Sequence, residues 1–255
     1  MSRSKRNNQN REEHPIEMMV RSQNKWIREF SQNHPDVWGV IGSNINFAQM
    51  LQSVIGQQPN LSMIEVHRHV MWQTVFDYQV QSIILILQHK LDAGLALLRM
   101  AAELSRDVYS IGNNQTKLDL WMEKNDKNRE YRDSFKFDQT LPQAKMVFDI
   151  YKLCSAFGVH GHVSNNMNSR LIGRAGRDDE LALLDVSDIG ILDSVGTWLM
   201  GFAPMHHLCA KEFLLSRLPN MPEVFTLMQE FETSSTELAK SFDDSLKNLK
   251  QQNPE

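Results

Sequence analysis

Residues 92–110 read DAGLALLRMAAELSRDVYS, and the fold class turns on this stretch. Drawn as a helix with Leu91 ahead of it, Leu95, Leu97, Leu98, Met100, Ala101, Ala102, Leu104 and Val108 make it apolar over most of its circumference. Such a helix belongs inside an all-helical domain. It nevertheless carries Arg99 and Glu103, four positions apart and therefore on one face, with Arg106 and Asp107 one turn further on. Charges at these positions require partners or a polar pocket.

On the N-terminal side, apolar residues at helical spacing (Ile64, Val66, Val70, Met71, Val75, Tyr78, Ile83, Ile84, Leu87) predict a long helix over 62–89, capped by Ser62. It runs towards the central helix with no strong breaker, and the join falls near 90–92. Before it, Asp36 is the expected cap of a helix that Gly56 to Asn60 stops, and a first helix from Ile16 ends at the His34-Pro35 pair. Residues 1–13 are polar and basic with few apolar groups, so they are expected to form a disordered tail.

On the C-terminal side, Gly112-Asn113-Asn114 ends the central helix, and the charge-dense residues 117–137 predict a partly exposed helix. Thr140 with Pro142 starts the next, in which Ala144, Val147, Phe148, Tyr151, Cys154, Ser155 and Gly158 recur at steps of three and four. The pattern changes over 170–185, where a short β-hairpin or ordered loop is expected. Ser187 then caps a helix over 188–217, kinked at Pro204, and a last long helix over 222–249 aligns Val224, Met228, Phe231, Leu238, Phe242 and Leu249. The expectation is an all-α bundle of seven or eight helices forming one domain over 14–255.

The 255 residues carry 27 basic and 31 acidic groups, a net charge of −4, so the global field does not advertise a nucleic-acid or membrane surface. The most hydrophobic segments are broken by charges, which argues against a membrane span, and no apolar run follows the polar N-terminus as a secretory leader would require. Cys154 and Cys209 lie in apolar helical patterns and read as reduced core thiols of a cytoplasmic protein. The sequence lacks HExxH, CxxC, a Gly-rich phosphate loop and a GxSxG elbow. His67/His69, His160/His162 and His206/His207 are spaced two or one apart. On a helix those spacings turn the rings about 200° or 100° from each other, so no metal site and no cofactor are expected. A metal-dependent hydrolase using His160, His162, His206 and His207 is the reading this disfavours.

A second polar constellation lies in residues 151–166, YKLCSAFGVHGHVSNN. Continued helix would put Tyr151, Ser155, Gly158 and His162 on one face, whereas a stop at Gly158 would leave His160 and His162 at a helix C-terminus, where the dipole favours protonated imidazole. Together with LLRMAAELSRDVYSI over 97–111, this Tyr151, Ser155 and His160 run resembles bacterial all-helical proteins related to the HEPN superfamily, the higher eukaryote and prokaryote nucleotide-binding helical fold. The likeness covers roughly residues 80–166. It implies a helical bundle, often dimeric, in a superfamily whose active members are metal-independent ribonucleases of toxin–antitoxin and antiviral defence systems.

In those members an Arg four to six residues before a His does the cleavage, whereas residues 154–159 here contain no Arg. Cleavage of RNA without metal needs a base for the 2′-hydroxyl, an acid for the leaving oxygen and a cation for the phosphorane charge. On this reading His160 is base or acid, Arg99 the phosphate stabiliser, and Glu103, Tyr151 and Ser155 the orienting groups. His162, Arg106, Arg170 and Arg174 would bind the RNA or nucleotide, although the basic turn is offset by Asp178, Asp179 and Glu180. The plainer alternative makes Arg99 and Glu103 a buried structural ion pair whose hydrogen bonds Tyr151, Ser155 and His160 complete. Another is a non-catalytic scaffold that meets a second copy or a protein partner through residues 222–249.

Overall fold

A computed structural model describes residues 15–156 and 188–217, with isolated helical positions at 233 and 237. The described residues form helices α1 (Pro15–Asn33), α2 (Pro35–Gly56), α3 (Met63–Leu87), α4 (Leu91–Ile111), α5 (Gln115–Met122), α6 (Asn128–Ser134), α7 (Pro142–Cys154) and α8 (Asp188–Arg217), and no strand. The fold is all-α. The expected tail at 1–13 and hairpin at 170–185 lie outside the described residues. So does the helix expected over 222–249, apart from the helical positions Thr233 and Glu237.

Local chemistry sets the helix ends. Ser62 closes a capping box on α3: its hydroxyl accepts from the Glu65 N–H at 3.3 Å, and its own N–H donates to Glu65 Oε2 at 2.7 Å. The chain breaks between α3 and α4 at His89, whose φ of 61° is left-handed, while the Lys90 N–H returns to the Leu85 carbonyl at 2.8 Å. The Trp26 ring of α1 stacks on His89 with centroids 4.5 Å apart. Helix α2 starts at Pro35, because its fixed φ suits the first helical position. Asp36 therefore sits inside the first turn and is not the cap. The charge-dense stretch makes two short helices, not one, with the Asn114 side chain accepting from the Lys117 N–H to start α5.

Helix α4 is the hub and packs against α3, α7 and α8. Leu98, Ala101, Ala102 and Val108 are sealed from solvent, as are Trp72 of α3 and Trp198 of α8. The two helices come close at Gly94, where a Cβ would stand 2.6 Å from the Ile86 side chain and where Ser82 donates to the Gly94 carbonyl at 2.7 Å. Helix α3 buries Met71, Val75, Ile83 and Leu87 of the expected apolar set, but Arg68, Gln79 and Ser82 also face inward, whereas Met63, Val66, Val70 and Ile84 are exposed. Pro204 is accommodated within α8. Cys154 and Cys209 are free and buried, and burial pushes the Cys154 thiol up to about 12. Among the described residues, no helix is long and apolar enough to cross a membrane.

Candidate functional site

Helix α4 presents Arg99 and Glu103 at its border with α7. Their (i, i+4) spacing gives a contact of 3.0 Å from Arg99 Nη2 to Glu103 Oε1. The side chains are 27% and 36% exposed, so this is not the buried ion pair that the apolar helix suggested. The rotation of α4 turns Leu95, Leu98 and Ala102 inward and carries Arg99 to the rim. From α7, Tyr151 brings its ring under the guanidinium, 5.3 Å from Cζ to centroid, and Arg99 Nε has no hydrogen-bond partner among the described residues. Arg99, Glu103 and Tyr151 thus converge. Ser155 does not join them, because its hydroxyl donates to the Tyr151 carbonyl at 2.7 Å, within its own helix.

Two further rings complete this surface. Phe137, in the chain between α6 and α7, has its centroid 5.4 Å from Tyr151 and 5.1 Å from Phe148. Lys152 places Nζ 4.6 Å from the Phe148 centroid and pairs with Asp149 at 2.8 Å.

Arg106 has a different task from the ligand contact anticipated for it. Its Nε and Nη2 donate to Asp107 Oδ1 at 2.9 and 2.7 Å, Nη2 also donates to the Tyr131 hydroxyl at 2.8 Å, and its guanidinium lies 5.2 Å from the Phe137 centroid. The second Asp107 oxygen accepts from Trp121 Nε1 at 3.0 Å and from the Tyr131 hydroxyl at 2.7 Å. These committed donors hold α5 and α6 against α4. Burial opposes the Arg106 charge, but Asp107 and Tyr131 outweigh it and hold its pKa above the ordinary value. Burial, then Asp107, pushes the Tyr131 hydroxyl well up, so it remains a donor. Trp121, Tyr131 and Asp107 were absent from the sequence-based site. The available signal was two polar-tipped aromatic residues in a stretch otherwise dense in charge.

His160, His162, Arg170 and Arg174 lie outside the described residues. His206 is buried between α3 and α8, with Trp72 Nε1 donating to its Nδ1 at 2.7 Å, and burial drops its pKa to about 3. It is a neutral core histidine. Among the described residues, no three or more His, Cys, Asp or Glu side chains are grouped so as to hold a metal ion.

No family model, curated protein or solved structure matches the chain. The arrangement itself provides a guanidinium braced on an aromatic ring, a carboxylate beside it and neighbouring ring surface. Such a set can hold a planar or anionic ligand at the α4–α7 border.

Proposed function

We propose that the chain is a HEPN-like helical protein that binds RNA or a nucleotide at the α4–α7 border and cleaves RNA without metal, in a toxin or antiviral-defence setting. The observation that carries this reading is the convergence of Arg99, Glu103 and Tyr151 at a partly open surface. Arg99 would stabilise the phosphorane charge, with Glu103 and Tyr151 fixing its orientation. His160 follows the last described residue of α7's end, Ala156, by four positions. On this reading His160 is the base or acid that Arg99 alone cannot supply.

The test is induced expression of wild type beside His160→Ala and Arg99→Ala, matched for soluble protein, with growth and total RNA as readouts. Wild type is expected to slow growth and degrade RNA, and His160→Ala to lower cleavage by about a hundredfold or more. Intact RNA and normal growth at high soluble wild-type levels would overturn the catalytic role.

A second reading, a non-catalytic scaffold, is favoured by the exposed apolar groups along α3, where Met63 is 69% and Val70 54% exposed.

A further inference from the structure

Phe148 differs from its neighbours in the site. It is half-buried but does not pack against the buried core, whereas Phe137 and Tyr151 do. Its ring is within 12° of parallel to that of Tyr151, with centroids 6.4 Å apart, and Phe137 backs both. The Lys152 side chain that lies against it is itself 56% exposed. A half-buried aromatic ring backed by other rings, with an exposed lysine against it, is a place for a flat ligand.

We propose that Phe148 and Tyr151, backed by Phe137 and bordered by Arg99, bind unpaired nucleobases by stacking, and that the ligand is single-stranded RNA held through its bases more than its phosphates. The inference deepens the function proposed above and rests on it for the choice of RNA as the strand.

The relative strengths of the contacts favour the base. A cation on an exposed ring is held by a factor of about two to five. A base stacked on a ring is worth roughly five- to a hundredfold, so a base displaces Lys152 from Phe148. Phosphate has less to gain, because each cation already has a carboxylate: Glu103 for Arg99, Asp149 for Lys152 and Asp107 for Arg106. Binding through the bases releases few counterions, which gives it a shallow salt dependence.

The full chain is titrated with a fluorescently labelled oligoadenylate of about twelve residues, its duplex with oligouridylate, an abasic strand of equal length, and AMP as competitor. The single strand is expected to bind, and the duplex and abasic strand to bind at least tenfold more weakly, with a slope of log K against log salt shallower than about −1. Phe148→Ala should weaken binding by about tenfold, Phe148→Trp should retain it, and Lys152→Ala should leave it unchanged or tighten it by uncovering the ring. Competition by AMP at the same concentration per base would identify a free nucleotide as the ligand of the same stacking site; much weaker competition would identify the strand.

Absence of binding, equal affinity for the abasic strand, an unaffected Phe148→Ala, or a Lys152→Ala as weak as Phe148→Ala would each overturn the stacking site. The two proposals fail separately. RNA that binds through Phe148 but is not cut removes the catalytic role alone, and RNA cut equally well by Phe148→Ala removes the stacking site alone.

Discussion

Asp107 accepts four hydrogen bonds, two from Arg106 and one each from Trp121 and Tyr131. Its side chain is 4% exposed. Asp107→Asn keeps the shape but replaces a full acceptor with an amide that turns N–H groups towards other donors, and it leaves the Arg106 charge uncompensated. The expected loss is about 3–5 kcal/mol of stability, whereas Glu103→Gln at the more exposed pair should cost less than about 1 kcal/mol. Urea unfolding of the two variants checks this, and equal losses would contradict the division into an interior and a rim pair. Although only Arg99 and Glu103 have the spacing of a pair, the charged residues of both pairs were legible on α4. Which one faces inward was not, because that depends on how the helix is rotated by Trp121 and Tyr131, whose role is hidden among the charges of 117–137.

At the scale of helices, most starts and stops were legible where a side chain or proline acts locally, as at Ser62, Pro142 and the Gly112 turn. The break between α3 and α4 carried no such mark, because the left-handed position is held by His89 under Trp26 and not by glycine. Nor was the inward face of α3 visible: its outward residues are apolar too, so periodicity could not choose between the faces. The α3–α4 contact depends on a missing side chain at Gly94. In Gly94→Ala the new Cβ meets Ile86 Cγ1 at 2.6 Å and the Ser82 carbonyl oxygen at 3.0 Å, so the helices must part. The strain, about 1–3 kcal/mol, exceeds the roughly 1 kcal/mol gained in helix propensity, giving a net destabilisation. Gly39→Ala in α2, with nothing within 4 Å of the added carbon, should instead stabilise by about 0.5–1 kcal/mol. Opposite shifts in urea midpoint are the expected result, and a stabilised Gly94→Ala would show that the close approach is not needed.

Across the whole molecule, the contacts that join α3 to α8 come from residues far apart in sequence. Trp72 donates to His206, Trp198 Nε1 donates to the Gln79 carbonyl at 2.8 Å, and the Gln79 amide reaches Met205 Sδ at 3.1 Å. No local pattern announces such pairings, so His206 read as one of several histidines when it is in fact part of the core. The pairing makes stability depend on pH. Burial holds the folded pKa of His206 at about 3, against an ordinary value of 6.5. Above 6.5 the ring is neutral in both states and imposes no penalty. Below 6.5 the unfolded chain takes up a proton that the folded chain refuses, so stability falls by about 1.4 kcal/mol per pH unit until the pH approaches 3. His69, lowered by the same cause, acts in the same direction. His206→Gln keeps an acceptor for Trp72 Nε1 but cannot titrate. It should be less stable than wild type at pH of about 7.5, and the gap should close by about 1.4 kcal/mol for each unit of acidification between pH of about 6 and 5. Urea unfolding of both proteins across that range reads the slope directly. Parallel stability curves would mean that His206 is not the neutral, sealed group that joins α3 to α8.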